Sequence, residues 1–503
     1  MATKKNIRIN FPASEKVYIR GEMNRIQVGV RRVTLSDTVF IDKNGKKSVK
    51  KNNPVILYDT TGPYSDSKIE LTTSTGIPRI KEEWNIRRKD QIRINNKLIA
   101  KQGKNITQMF YAKRRIITPE MEYVAIRENQ QVEELGLKSH ITPDFVRKEI
   151  AAGRAVIPSN INHPEAEPMI IGKNFLVKVA TRICYEQAAL VPEKEMEKIA
   201  WFCKWGNDLF LENEEDAQHT DTREFILRHS PIPYASTPIF DALKQVGTID
   251  NLTWKVFREV IVNQAEQGVD CFCIHAGLLK KHSKHTDVRL TGITDPAGLL
   301  LKEWMKITNK ENFLYTHFTD ICEILKQYDI TLVLSSALRS ASIYDSNDAA
   351  QFAELRVLGE VAKRAKEHFI QTIVEGPGHT PLNKIQEGIK EQQYICQQIP
   401  FFSSTPVSTD IAPGQEYISS AIGAAQIAWQ GVSLIADQTS YSDKERIKDK
   451  LIAHKIAAHS ADIAKGHPGS QVRDNALSKA RFDGRKKDVC NLSVDPAKTA
   501  KFI

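Results

Sequence analysis

The sequence predicts an α/β fold: a (β/α)8 barrel over residues 142–470, preceded by a small, irregular, β-rich region. Three observations predict it. Short β-branched runs alternate with longer amphipathic stretches across that span, as parallel βα units require. The span is long enough for eight such units. No Gly-rich nucleotide fingerprint follows an early strand, so a doubly wound open sheet is the weaker reading.

The elements follow in order. Residues 1–141 form the N-terminal region. Val28–Val33, Asn53–Tyr58 and Ile92–Ala100 are strand-like, with turn signals at Asn44-Gly45 and Gly62-Pro63. No helical periodicity dominates residues 1–115. Thr142-Pro143-Asp144 then opens a helix, with Thr142 as N-cap, Pro143 at the first helical position and Gly153 as terminator. The strand candidates beyond it are Ala155–Pro158, Phe175–Val179, Val269–Ile274, Ile330–Leu334, Gln371–Val374 and Val432–Ala436. Between them lie helical stretches at Pro192–Lys204, Thr253–Glu266, Phe318–Gln327, Asp348–Glu367 and Lys444–Lys465. Residues 471–503 form a C-terminal extension.

Composition bounds the function classes. Hydrophobic residues make up 41% of the chain and charged residues 26%, which is ordinary for a globular protein and excludes whole-chain disorder. No apolar run reaches the length of a membrane span, and Met1–Asn10 has no apolar signal core. Seven cysteines without a CxxC pair point to a reducing, cytoplasmic setting. Residues 1–115 carry 26 Lys and Arg against 10 Asp and Glu, while the rest of the chain is slightly acidic. The basic residues are scattered among turns without aromatic interleaving, so neither nucleic acid nor membrane is expected as a partner.

In a barrel the chemistry lies at the C-terminal ends of the strands. Glu375-Gly-Pro-Gly-His379 places a carboxylate and an imidazole at the two ends of a tight turn that directly follows a strand. His275 ends an apolar strand on which Cys271 and Cys273 share one face, as core residues do. Asp410, in Thr409-Asp-Ile-Ala-Pro-Gly414, could meet a ligand or cap the next helix. His282 and His285 lie in a basic stretch that reads as a solvated loop, and the spacing of His454 and His459 gives them no shared ligand-facing stripe.

Several blocks resemble the phosphomethylpyrimidine synthase family, the radical S-adenosylmethionine enzymes of thiamine pyrimidine biosynthesis. They include Ile117–Glu122, Gly153–Glu165, Glu167–Gly172, Glu266–Asp270, Ile274–Gly277, Glu375–His379, Thr409–Gly414, Ala464-Lys-Gly-His-Pro-Gly469 and Arg473–Arg481. The resemblance covers about residues 10 to 500. It implies a dimeric barrel lyase that converts aminoimidazole ribotide to hydroxymethylpyrimidine phosphate, using S-adenosylmethionine, a [4Fe–4S] cluster and a divalent metal such as zinc. By the same resemblance His275, Arg339 and Glu375 contact substrate, and His379 is one of two histidine ligands to the metal.

The departures from the family pattern fall at strand ends. The sequence ends at Ile503, before the family's three-cysteine segment, and no other three-cysteine cluster replaces it. The family's Asn-rich loop is Ala180–Glu186 here, and its Met-Asp-Leu-Ser-Thr-Gly segment is Leu211–Asp216. Two tyrosines become Phe240 and Phe402, and the Gly-Asp-Gly-Leu-Arg loop becomes Ser335–Arg339. The phosphate-binding Ser-Arg-Gly is Asp295-Pro-Ala297, an anion where a phosphate should sit. The second metal histidine is missing from Asp437–Asp443, so the metal site at His379 is incomplete and no cofactor is expected. Three functions compete: a non-catalytic or altered-ligand barrel protein, taking at most a small phosphorylated ligand; a synthase whose cluster comes from a partner subunit; and a barrel enzyme with new, non-radical chemistry at Glu212, Glu214, Glu215, Asp216 or Asp295. The expected assembly is a homodimer, or a heterodimer with a full-length paralogue.

Overall fold

The computed structural model describes residues 7–129, 141–184, 190–213, 220–437 and 444–503. The N-terminal region is built on an antiparallel sheet of β1 (Ser14–Arg20), β2 (Gln27–Val33) and β5 (Val55–Leu57), ordered β1-β2-β5. The hairpin of β3 (Thr38–Ile41) and β4 (Lys47–Lys50) extends from it, turning at Gly45 with φ of 76°. A second hairpin pairs β6 (Gln91–Ile94) with β7 (Lys97–Ala100). Its two turn residues, Asn95 and Asn96, have φ of 47° and 64°, as a two-residue hairpin loop demands. Two helices, Glu82–Arg88 and Gln108–Lys113, also lie here. With seven and six residues they are too short to show a period, which is why residues 1–115 read as helix-free.

The helix Pro143–Ala152 forms as expected: the Thr142 hydroxyl accepts from Phe145 N, and Gly153 ends it in the left-handed region. A short antiparallel pair, β8 (Ala155–Val156) with β9 (Ile171–Gly172), follows. Val156, Met169 and Ile171 pack with residues of the barrel interior, and Ile157 N donates to Gln371 at the start of a barrel strand. This pair therefore closes the N-terminal end of the barrel. It is the predicted strand Ala155–Pro158, placed outside the barrel sheet.

The barrel is a closed parallel sheet of β10 (Lys178–Ile183), β11 (Leu209–Glu212), β12 (Tyr234–Ser236), β13 (Cys271–Ile274), β14 (Thr331–Leu334), β15 (Thr372–Glu375), β16 (Phe401–Ser403) and β17 (Leu434–Asp437). β17 pairs back onto β10, with Lys178 opposite Leu434. Strand alternation separates two cores. Leu209, Leu211, Cys271, Val333 and Ile373 fill the interior, while Phe210, Phe272, Leu332 and Val374 face the surrounding helices. Each fully buried side chain of the outer core contributes roughly 1.5–3 kcal/mol.

The first barrel strand lies later than expected. Phe175 and Val177 are buried, but Phe175 N closes a turn onto Gly172 O, so apolar burial there does not mean a sheet ladder. β12 and β16 have only three residues, too few to form a recognisable run, and β11 is not among the expected strands either. The helices agree closely: Pro192–Lys204 forms as read, and Thr253 and Asp348 cap Trp254–Gln267 and Ala349–Glu367. After Lys444–Ala464, the helices Ser470–Phe482 and Lys486–Leu492 turn back onto the N-terminal sheet. Leu492 and Leu477 pack against Val33, Val55 and Leu57, and Asp488 accepts from Ser36 N. Among the described residues, no helix is long and apolar enough to cross a membrane.

Candidate active site

The C-terminal ends of the barrel strands surround a cavity of about 30 Å³. That is room for about two water molecules. His275, directly after β13, lines it together with Asp295, Ser335 and Glu375. Arg339 joins them through ion pairs.

Asp295 is the centre of this cluster. It is the N-cap of the helix Pro296–Thr308, and Pro296 suits the first helical position. Its Oδ1 accepts from Gly298 N at 2.8 Å and lies 3.0 Å from His275 Nε2. Its Oδ2 accepts from Arg339 Nη1 at 2.8 Å. Asp295 is thus not an unmatched anion: it is buried, doubly ion-paired and structurally committed to a helix end. The sequence placed a repulsive charge here; the fold neutralises it from both sides. Burial by itself would raise its pKa, but His275 and Arg339 hold the carboxyl well below the usual carboxylate range. Burial likewise opposes charge on His275, yet Asp295 and then Glu375 raise its pKa above the ordinary histidine value. His275 Nδ1 is buried without a hydrogen-bond partner among the described residues.

The loop that presents Arg339 is gripped by two carboxylates. Glu375 Oε2 accepts from Ser336 N at 2.9 Å. Glu354, from the helix Ala349–Glu367, accepts from Ser336 Oγ at 2.5 Å, Ala337 N at 2.9 Å and Leu338 N at 2.7 Å. Burial raises the pKa of Glu354 despite these donors. Sequence reasoning missed Glu354. A signal was available: it sits on the buried stripe of its helix with Ala350, Leu355, Leu358 and Val361, where an acid needs a stated partner.

His379 stands apart from this cluster. Its main chain is tied to the Arg339 loop, with His379 N donating to Ser340 O and Ser340 Oγ donating back to His379 O. Its imidazole is more exposed than the others and meets Asp410 at 2.7 Å, and Asp410 also accepts from Ile343 N at 2.8 Å. Asp410 therefore braces two loops and does not cap the helix Glu416–Trp429. Gly378 is required at this turn, because a Cβ there would stand 2.1 Å from Ser340 O.

The remaining expected residues have other duties. Glu212 is held by Arg223 Nε at 2.7 Å, and Arg223 also reaches Asp241 at 2.8 Å. Phe402 fills the barrel interior, whereas Phe240 packs on the outer core. His282 is buried rather than solvated, and burial lowers its pKa to about 4. His454 meets Ser420, and His459 meets Asp474. Glu214, Glu215, Asp216, Tyr185, Glu186 and positions 438–443 lie outside the described residues.

Neither of the family's inorganic groups fits the described residues. Among them, no three His, Cys, Asp or Glu side chains come together to hold a metal ion. A [4Fe–4S] cluster needs thiolates, yet burial raises the Cys271 thiol and pushes Cys273 up to about 12. Cys271 is fully buried and Cys273 is a half-buried side chain lining the mouth cavity.

Among solved structures, the chain is similar to the dihydropteroate synthase of Thermus thermophilus, at 11% identity with a TM-score of 0.33, covering 57% of this chain and 93% of that one. It is also similar to the dihydropteroate synthase of Coxiella burnetii, at 12% identity with a TM-score of 0.32, covering 57% and 94%. Residues 10–91 match the ThiC-associated domain. Residues 107–503 match the radical SAM ThiC family. With these two matches spanning nearly all of the sequence, the chain belongs to the radical SAM ThiC family, that of phosphomethylpyrimidine synthase.

Proposed function

We propose that this member has given up the radical conversion of aminoimidazole ribotide and acts as a non-catalytic barrel protein. The family's work is thiamine pyrimidine synthesis. The observation that carries the proposal is the double ion pair of Asp295 with His275 and Arg339. Those are two of the three substrate contacts that the family resemblance assigns, and a covalently held carboxylate already satisfies both. A phosphate arriving there would have to compete with Asp295 for the same two partners.

Expression in a thiamine pyrimidine auxotroph tests the proposal, with an active family member as positive control. The expected result is no growth without added pyrimidine, although the protein accumulates in soluble form. Growth restored by this chain would reject the proposal.

A further inference from the structure

At the opposite end of the barrel lies a much larger cavity, of about 430 Å³. That is within the range of small-molecule sites. Its walls come from β2 and β5, from the start of β10 and the residues before β11, from the helix Lys444–Ala464 and from the chain after it. It absorbs two sequence motifs that the barrel mouth leaves unexplained: His467 and Gly469 of Ala464–Gly469 line it, as does Arg473 of Arg473–Arg481.

Charged side chains of both signs line it. Four of its five lining carboxylates already have a lysine partner. Asp59 meets Lys16 at 3.1 Å, Glu128 meets Lys178 at 2.9 Å, and Asp208 meets Lys455 at 3.2 Å. Asp462 meets Lys465 at 3.0 Å, and Asp474 is paired with His459. Arg31 and Arg473 also line the cavity; Asp59 and Asp474 favour their charge from a distance, but among the described residues neither arginine makes a close ion pair with a carboxylate. Both guanidiniums are nevertheless held in place. Arg31 lies over the Phe11 ring at 4.0 Å. Arg473 donates from Nε to Leu492 O and from Nη2 to Ser493 O, both at 2.7 Å, which leaves its Nη1 edge uncommitted by those bonds. Burial and the neighbouring Arg31 lower the Arg473 pKa to about 10, so the two cations oppose each other. An anion placed between them would relieve that repulsion. Planar guanidiniums match phosphate oxygens particularly well, and Val472 and Leu477 supply an apolar wall beside them.

We infer that this cavity binds a small organic phosphate, with the phosphoryl group between Arg31 and Arg473 and the carbon body against Val472 and Leu477. The site is independent of the barrel mouth and of whether the family's reaction survives.

Calorimetric titration of the full chain with phenyl phosphate tests the inference, with inorganic phosphate and benzyl alcohol as the two half-ligands. The expected result is saturable one-to-one binding of phenyl phosphate, weaker binding of inorganic phosphate and none of benzyl alcohol. Arg31→Met should weaken phenyl phosphate binding by about 10- to 100-fold, the loss of one or two charge-assisted hydrogen bonds. Because the Arg31 side chain is held by its stacking on Phe11 rather than by an ion pair, circular dichroism of this variant should match the parent. Lys390→Ala, at an exposed position of the helix Leu382–Ile395 away from the cavity, should leave the affinity unchanged. Absence of phenyl phosphate binding, or binding that survives Arg31→Met, would overturn the inference.

Discussion

Replacing Asp295 by Ala removes three interactions at once. The first is the N-cap of Pro296–Thr308, worth about 0.5–2 kcal/mol. The second and third are its contacts with Arg339 at 2.8 Å and His275 at 3.0 Å, both buried. Removing one partner of a buried pair costs about 3–5 kcal/mol, since the other charge is left uncompensated. Arg339 keeps Glu375 at 3.5 Å, and His275 can deprotonate. The lower end therefore applies, and with the cap Asp295→Ala should destabilise by about 3.5–5 kcal/mol in all. Asn is as good an N-cap as Asp, so Asp295→Asn should recover about 1 kcal/mol of that loss. The pH dependence has a definite sign. Asp295 is depressed in the fold, so its contribution is present above about pH 4 and is lost only as pH falls through its far lower folded value. His275 is raised, so its contribution is full below about pH 6.5 and is lost as pH rises through the folded value. Urea unfolding followed by tryptophan fluorescence at pH 6 and pH 9 reads the histidine effect, over a range in which the Asp295 contribution is constant. The parent should lose stability between those values, and Asp295→Asn should lose less. A cost below about 1 kcal/mol for Asp295→Ala would show that the mouth is not held by this cluster.

Other outcomes follow from the same geometry. Glu354→Ala leaves three donors of the 336–338 segment without their acceptor and should speed amide exchange there, read by hydrogen–deuterium exchange with mass spectrometry. Unchanged protection would refute the role assigned to Glu354. Gly378→Ala drives a methyl group against Ser340 O and should cost about 1–3 kcal/mol, measured by the same urea titration. A neutral effect would mean that the turn relaxes freely. The Cys273 thiol, pushed up to about 12, should resist iodoacetamide at pH 8 in the folded protein and react after denaturation, as peptide mass mapping will read. Rapid labelling of the native protein would contradict a thiol held in its protonated form.

The barrel was legible because its signal is spread over many residues. Helix caps at Thr142, Thr253 and Asp348 and the apolar runs at β13 and β14 each point to the same fold. Strands such as Tyr234–Ser236 were not legible, because three residues carry no period and closure of the barrel alone dictates their pairing. At the mouth, His275, Arg339 and Glu375 were readable from the family resemblance. Their present partner was readable only as a misplaced charge. Whether Asp295 repels or neutralises depends on His275 and Arg339, 20 and 44 positions away, lying within 3.0 Å of it. Spacing cannot encode that distance. Glu354 and the Arg31–Arg473 pair were hidden for the same reason: their meaning comes from contacts across the fold.

Whether the mouth is closed to substrate is decided by calorimetric titration of aminoimidazole ribotide into the purified chain. The triple variant Asp295→Ser, Pro296→Arg, Ala297→Gly, which restores the family's phosphate-binding segment, serves as its comparison. No saturable binding to the parent and measurable binding to the variant are expected, because the variant exchanges the blocking carboxylate for a cation. One-to-one binding to the parent, abolished by Arg339→Met, would contradict a closed mouth.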